Sequence, residues 1–457
     1  MTVAVKDPAP LTETLARVLV SGTDMSQLRE LKSRLGACGY ATLSAEPGAA
    51  ALRMVRDAWP DLVVVGADDD GERAIALLEG IKQSGDTRHI PVAMVAGHAG
   101  PVFRRACRAA GVDDVILGPL PDAVLKARLT PLFRLATMTA ELQRRRDTMK
   151  ALGLASDGTG AEPTTREPWV LVVSDATNGA TGAVVEEALA ADCSIFRACD
   201  TYSAAEALTN TQFDALVVTP SSDLERALEL CAHIRNNPRL FNLPVLLLAE
   251  RSAVDDIAAP YQRGTSLVLT RPVDQAELRD QILGLVRRQR LRYAVRQGLA
   301  ATLRPGTVDE ETGLYNARFF ATHLSALISG ASISQKPLSI VLFALANIDW
   351  FDRQFGQGAG GRVLRDVTSW IAGLVRAEDF TARTEAHAIT VTLPDTTYAE
   401  AQVVANRIAG VLLNTDFSVT DGPNADGLRV WVETGTAAVE PGDTVAGLLA
   451  RARARMG

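Results

Sequence analysis

Cysteine is scarce: Cys38, Cys107, Cys193, Cys199 and Cys231 are the five in 457 residues, an odd number without CxxC spacing. That excludes a disulfide framework and a thiolate metal site, and predicts buried thiols in a reducing compartment. A basic surplus is also lacking. With 47 Lys and Arg against 54 Asp and Glu, the net charge of -7 leaves nothing to replace the counterions of a nucleic acid. A local arginine cluster can still bind a small phosphate ligand. No apolar run reaches the ~18 residues of a membrane span. The N-terminal MTVAVKDPAPLTETLA lacks the basic start and continuous apolar stretch of a signal peptide. The expectation is a cytoplasmic protein, recruited to a membrane or a cell pole only through partners.

What is present is alternation. From Val18 the chain reads VLVSGTD, a polar helix, GYATLSAEPGAAALRMV, PDLVVVGADDDG, IPVAMVAG and DDVILGPLP; from Val170 the same order returns as VLVVSDA, CSIFRACDTYSAAEAL, FDALVVTPSSD, LPVLLLAERS and TSLVLTRPVD. Short apolar strands between amphipathic helices predict a doubly wound parallel sheet, here duplicated at the scale of a domain. The Arg-rich stretch within residues 132–152 reads as an extension of the first unit's last helix. The Gly, Ser, Thr and Pro of residues 153–168 read as a linker. The RRQRLR run at Arg287 to Arg292 reads as the solvated face of a joining helix. The predicted divisions are 15–140, a helix and linker over 141–167, 168–290, a helical linker over 291–308, and 309–457.

Both repeated units resemble receiver domains of response regulators, with a flavodoxin-like fold. In that family, acidic residues after the first strand hold Mg2+ and an aspartate after the third accepts phosphate. In the first unit the acidic pair falls on Gly22 and Thr23, the acceptor on Gly66, and the following hydroxyl and lysine on Ala96 and Gly118. In the second unit they fall on Ser174 and Asp175, Thr219, Ala249 and Arg271. Phosphoryl transfer to a carboxylate requires the carboxylate and a neutralising metal. The units therefore read as silent interaction modules, with Asp68, Asp69 and Asp70 a solvated acidic turn. Asp175 and Arg271 are expected to pair across the old site.

From Asp309, DEETGLYNARFF resembles the opening of the GGDEF domain of diguanylate cyclases, an α/β fold of the nucleotidyl-cyclase kind, and the likeness runs to LRVWVETGTAAVEP. The whole architecture resembles the PleD-like regulators, and its altered motifs resemble the non-enzymatic PopA-like kind. Such a cyclase needs two metals held by carboxylates. The first metal position falls on Asn347, leaving Asp349; the signature falls on Glu385, Ala386, His387, Ala388 and Ile389; the base-reading position falls on Gly361. The expectation is a non-enzyme with no catalytic residue, metal or cofactor, and His387 reads as a turn residue without an acidic partner.

One motif is left with chemistry to do. The stretch from Leu374 to Thr396 reads as a helix end, a strand, a reversal and a second strand, with Arg376 and Asp379 just before the first strand. Three residues apart, a guanidinium and a carboxylate can face one way and read a planar, phosphate-bearing ligand. In the GGDEF family an RxxD motif at this place binds cyclic di-GMP, and a second arginine on the helix after the hairpin, here Arg407, completes the site. The resemblance implies a cyclic di-GMP effector that acts as an adaptor or scaffold in cell-cycle signalling. Its partners would be proteins held through the receiver units, with a protease adaptor role and a homodimer implied. A ligand-independent scaffold and a residual cyclase are the alternatives.

Overall fold

A computed structural model describes residues 16–67, 71–97, 99–118, 120–154, 166–174, 179–220, 223–418 and 428–456. The contacts divide the chain into two compact units: one holds residues 16–136 and 161–294, the other residues 137–160 and 295–457.

The first unit contains both predicted receivers. The first comprises β1 (Arg17–Ser21), α1 (Met25–Ala37), β2 (Ala41–Ala45), α2 (Ala49–Ala58), β3 (Leu62–Gly66), α3 (Glu72–Gln83), β4 (Val92–Ala96), α4 (Pro101–Ala109), β5 (Asp114–Leu117) and the long α5 (Asp122–Ala151). The second comprises β6 (Trp169–Ser174), α6 (Gly179–Leu189), β7 (Ser194–Ala198), α7 (Thr201–Asn210), β8 (Ala215–Thr219), α8 (Leu224–Asn236), β9 (Val245–Glu250), α9 (Ala258–Gln262), β10 (Leu267–Arg271) and α10 (Gln275–Ala300). The sheets run β2-β1-β3-β4-β5 and β10-β9-β8-β6-β7, parallel throughout, so the second repeats the first. Strands such as Val18 to Val20 and Val63 to Val65 are apolar on consecutive residues because helices cover both faces. The flavodoxin-like expectation holds.

Two expectations from charge and composition are corrected. The RRQRLR run is not a solvated face. Arg287 donates to the carbonyl oxygens of Gly111 and Val112, Arg288 is 13% exposed beside Asp114, and Arg290 lies 3.6 Å from Asp214. The run instead stitches the two receivers together, with help from an Arg108–Asp280 ion pair of 2.8 Å. The expected helical extension is present, since α5 runs to Ala151, with Glu141 and Arg145 buried within it. Among the cysteines, Cys107, Cys193 and Cys231 are buried, but Cys199 is exposed.

The second unit adds α11 (Ala317–Ser334), β11 (Leu338–Leu345), α12 (Ile348–Phe355), α13 (Ala359–Leu374), β12 (Phe380–Glu385), β13 (Ala388–Pro394), α14 (Tyr398–Leu413), β14 (Val432–Ala438) and α15 (Val445–Arg453). Its sheet, β12-β13-β11-β14, is antiparallel. The hairpin expected after Leu374 is β12–β13, and Asp395 ends it in the left-handed region at φ 49°. A capping box between Thr397 and Glu400 starts α14, which fixes the direction in which Arg407 leaves the helix. The α5 segment from Thr137 belongs to this unit, and Met149 packs in one core with Tyr315, Phe319 and Phe380.

Candidate functional site

The candidate site begins where α13 ends. Residues 376–379 form a turn closed twice: the Asp379 N–H donates to the Arg376 carbonyl oxygen at 3.1 Å, and the Asp379 carboxylate accepts the Arg376 N–H at 2.7 Å. The two side chains, expected to face one way, therefore part: the carboxylate is spent on backbone. Asp379 turns inward, 7% exposed, with Oδ1 buried and, among the described residues, without a hydrogen-bond partner. Burial, reinforced by neighbouring Glu378, pushes its carboxyl up to about 7 against the pull of Arg376 and Arg145. The Arg376 side chain points outward, exposed, and makes no hydrogen bond or ion pair among the described residues. Arg407 is exposed on α14 and donates from Nη2 to the Leu374 carbonyl oxygen at 2.9 Å. It thus caps the α13 terminus two residues before Arg376. The structure brings the two arginines to one edge and sets the carboxylate beneath it.

A residue that sequence reasoning missed supports this turn from behind. Arg145 of α5 donates from Nη2 to the carbonyl oxygens of Glu378 at 3.2 Å and Asp379 at 3.0 Å. It also donates from Nη1 to the Tyr315 hydroxyl at 3.3 Å and from Nε to Glu141 at 2.7 Å, and its guanidinium lies 5.4 Å from the Phe380 ring centroid. Glu141 shares that oxygen with His323 Nε2 at 2.9 Å. Burial works to raise the Glu141 pKa, but the charges of His323 and Arg145 outweigh it and hold the carboxyl at about 2. The only signal in the sequence was the Arg-rich run itself, which composition alone assigns to solvent.

The positions carried over from the cyclases have other occupations. Asn347 bridges backbone, donating from Nδ2 to the Arg429 carbonyl oxygen at 3.0 Å and accepting the Trp431 N–H at 2.9 Å. Asp349 lies 3.4 Å from His387 Nε2, so His387 does have an acidic partner, contrary to expectation. Glu385 pairs with Arg453, and Arg383 grips the hairpin turn by donating to the Ala386 carbonyl oxygen. A Cβ added at Gly361 would stand 2.6 Å from Glu311 Oε1, so Glu311 fills the space beside the base-reading position. No cluster of three His, Cys, Asp or Glu suited to a metal occurs among the described residues.

In the first receiver, Gly22, Thr23, Gly66, Ala96 and Gly118 do gather at the carboxyl ends of the strands, around a cavity of about 410 Å³. In the second, Thr219 Oγ1 donates to the Val173 carbonyl oxygen at 3.2 Å, and Arg271 pairs with Glu250 at 3.0 Å and bonds Thr181. Asp175 and Asp68 to Asp70 lie outside the described residues.

Comparison with known proteins agrees with this architecture. The family "Diguanylate cyclase, GGDEF domain" matches residues 306–457. The response regulator PleD of Caulobacter vibrioides is 28% identical over 447 residues, which cover 96% of this chain and 95% of PleD. Chemotaxis protein CheY-3 of Vibrio cholerae is 31% identical over 112 residues, covering 24% of this chain and 86% of CheY-3. The GGDEF domain of DgcB from Caulobacter crescentus, solved in complex with c-di-GMP, aligns at 21% identity with a TM-score of 0.32, covering 33% of this chain and 85% of that one. Among the described residues no helix is long and apolar enough to cross a membrane. The chain is similar over nearly its whole length to a PleD-like response regulator, with receiver-like units preceding a GGDEF domain at residues 306–457.

Proposed function

We propose that this protein is a non-catalytic cyclic di-GMP effector that binds the dinucleotide through Arg376, Asp379 and Arg407. The observation that carries the reading is the division of labour in the turn. Asp379 locks the backbone, leaving the exposed Arg376 guanidinium beside Arg407 and unpaired among the described residues. A guanine offers O6 and N7 to a guanidinium, and its N1–H and N2–H suit a carboxylate; Asp379 Oδ1, without a hydrogen-bond partner among the described residues, is such an acceptor. Arginine also stacks on purine faces and pairs with phosphate, which lysine does less well.

Synthesis of the dinucleotide is not part of this reading. Asn347 spends its amide on backbone, the Asp349 carboxylate lies 3.4 Å from His387 Nε2, and Glu385 is paired with Arg453. Ligand binding would act by favouring one arrangement of the chain over another. The output would be that of an adaptor or scaffold in cell-cycle signalling, possessing receiver surfaces for protein partners and working as a homodimer at the cell pole.

Titration of the full chain with cyclic di-GMP tests the proposal. Saturable binding should weaken roughly tenfold or more in Arg376→Ala, the loss expected when a hydrogen bond to a charged group is removed. Absence of saturation at tens of micromolar ligand overturns it. Product formed from GTP and Mg2+ above blank would instead support a cyclase.

A further inference from the structure

The receivers meet along a seam within the first unit, and that seam holds a cavity of about 640 Å³. Its size falls in the range of small-molecule sites, roughly 300 to 1,000 Å³. Eight Lys or Arg side chains line it against four Asp. The surplus shows in how the carboxylates are shared. Asp114 is gripped in bidentate fashion by Arg128, at 2.8 and 2.5 Å, so both its oxygens are engaged before Arg288 approaches to 3.9 Å. Asp113 is likewise held by Lys82 at 2.6 Å, leaving Arg287 at 3.7 Å.

Arg288, which loses this competition, is not returned to water. Among the described residues its Nη1, like Arg104 Nε and Arg290 Nε, is buried without a hydrogen-bond partner, Arg290 Nε lying 3.6 Å from Asp214. The Arg104 side chain is only 9% exposed, and its Nη1 donates to the Ala99 carbonyl oxygen at 2.7 Å while Asp274 and Glu277 stand at 3.5 and 3.4 Å. For Arg288, burial lowers the guanidinium pKa, and Asp114 does not offset it. Two guanidinium groups on one saturated carboxylate constitute a net buried positive charge, which a protein retains at a cost. The rest of the wall is apolar, with Val112, Val115, Leu283 and Leu291 facing the same space.

From this geometry we infer a second ligand site: the receiver seam binds a nucleoside polyphosphate, its phosphates on Arg288 and Arg104 and its base on the apolar wall. An anion supplies the acceptors that Asp113 and Asp114 cannot, and arginine is the side chain suited to phosphate oxygens. This site shares no residue with the Arg376 turn, so the two readings stand or fall separately.

The test uses the full chain with ATP as probe and inorganic pyrophosphate as the phosphate-only control, by calorimetric titration. ATP should bind saturably and more tightly than pyrophosphate, with affinity falling as salt rises. Arg288→Met should cut ATP affinity about tenfold or more. Its ligand-free melting temperature should match or exceed that of the natural chain, because an apolar side chain of similar size replaces an unbalanced charge. Arg287→Gln, at the 43% exposed rim, should weaken binding less and keep the fold in any event. Arg376→Ala should bind ATP normally. No saturation up to about 1 mM ATP overturns the inference. So does undiminished ATP binding by Arg288→Met, or a fall in its ligand-free melting temperature, either of which makes the arginines a structural seam only.

Discussion

Replacing Asp379 with asparagine makes the turn at the candidate site report on its own electrostatics. The folded carboxyl titrates at about 7, raised from 3.8, so the folded chain holds its proton over a pH range in which the unfolded chain has released it. Stability is then greatest below the unfolded value and falls as pH rises through the folded one. At about 1.36 kcal/mol per unit, the full shift has a ceiling on the order of 4 kcal/mol, of which roughly 2 to 3 kcal/mol lies between pH 5 and pH 8. Glu141 does not blur that window. Its carboxyl is depressed to about 2, so its contribution is complete above the ordinary carboxylate range and disappears only in acid.

The amide oxygen introduced by Asp379→Asn would still accept the Arg376 N–H, and the new amide donors add a penalty that does not vary with pH. Only the pH-dependent part of the difference between the two chains is therefore diagnostic. Because the chain is multidomain, a single unfolding free energy is not defined, and amide hydrogen exchange in β12 and β13 is the suitable measurement. Protection in Asp379→Asn relative to the natural chain should rise from pH 5 to pH 8, with no such trend in β1 or β6. An equal difference at both pH values would refute the buried, proton-holding carboxyl. The same titration bears on the ligand. An ionised carboxylate accepts the guanine N1–H and N2–H at both oxygens and with full charge, which a protonated carboxyl or an amide does not, so cyclic di-GMP affinity should strengthen as pH rises through about 7 in the natural chain and stay weak and flat in the asparagine variant.

Other outcomes follow from the surrounding contacts. Arg145→Met leaves Glu141 buried with its Arg partner gone, and should cost about 3 to 5 kcal/mol, read as lost exchange protection in α11 and β12; cyclic di-GMP affinity should fall with it, because the Glu378 and Asp379 carbonyl oxygens lose their donor. Asn347→Asp should yield no dinucleotide from GTP and Mg2+, and should destabilise the unit by about 1 to 3 kcal/mol, since a carboxylate cannot donate to the Arg429 carbonyl oxygen. Arg407→Ala should weaken cyclic di-GMP binding while sparing the seam, which ATP titration of the same variant checks.

The alternation of strands and helices, the duplication and the hairpin were legible because they rest on apolar periodicity and turn chemistry, both local. Charge in context was not. Arg145, Arg287 and Arg288 each belong to runs of basic residues, and a run says nothing about which members find a carboxylate or a carbonyl oxygen far away in sequence. Arg145 meets Asp379 across 234 positions. Asp379 misled in the opposite direction, because an RxxD spacing is equally compatible with a side-chain ion pair and with a carboxylate turned in to cap its own turn. Only the burial of that residue separates the two.

The two kinds of altered site differ in what replaced the expected carboxylates, and the difference has a physical meaning. In the GGDEF domain the space is refilled: Glu311 crowds Gly361, Asn347 holds two backbone groups, and Arg453 takes Glu385. Reversing one substitution there would break a contact without restoring a metal site. In the first receiver the positions were emptied instead, and glycines and alanine leave a cavity at the strand ends. A Cβ at Gly22 would meet Gly66 only at 3.5 Å, an ordinary contact, so nothing steric forbids side chains there. Restoring acidic residues at Gly22, Thr23 and Gly66 should therefore be tolerated by the fold, as melting of the triple variant would show, whereas the equivalent restoration around Asn347 should not.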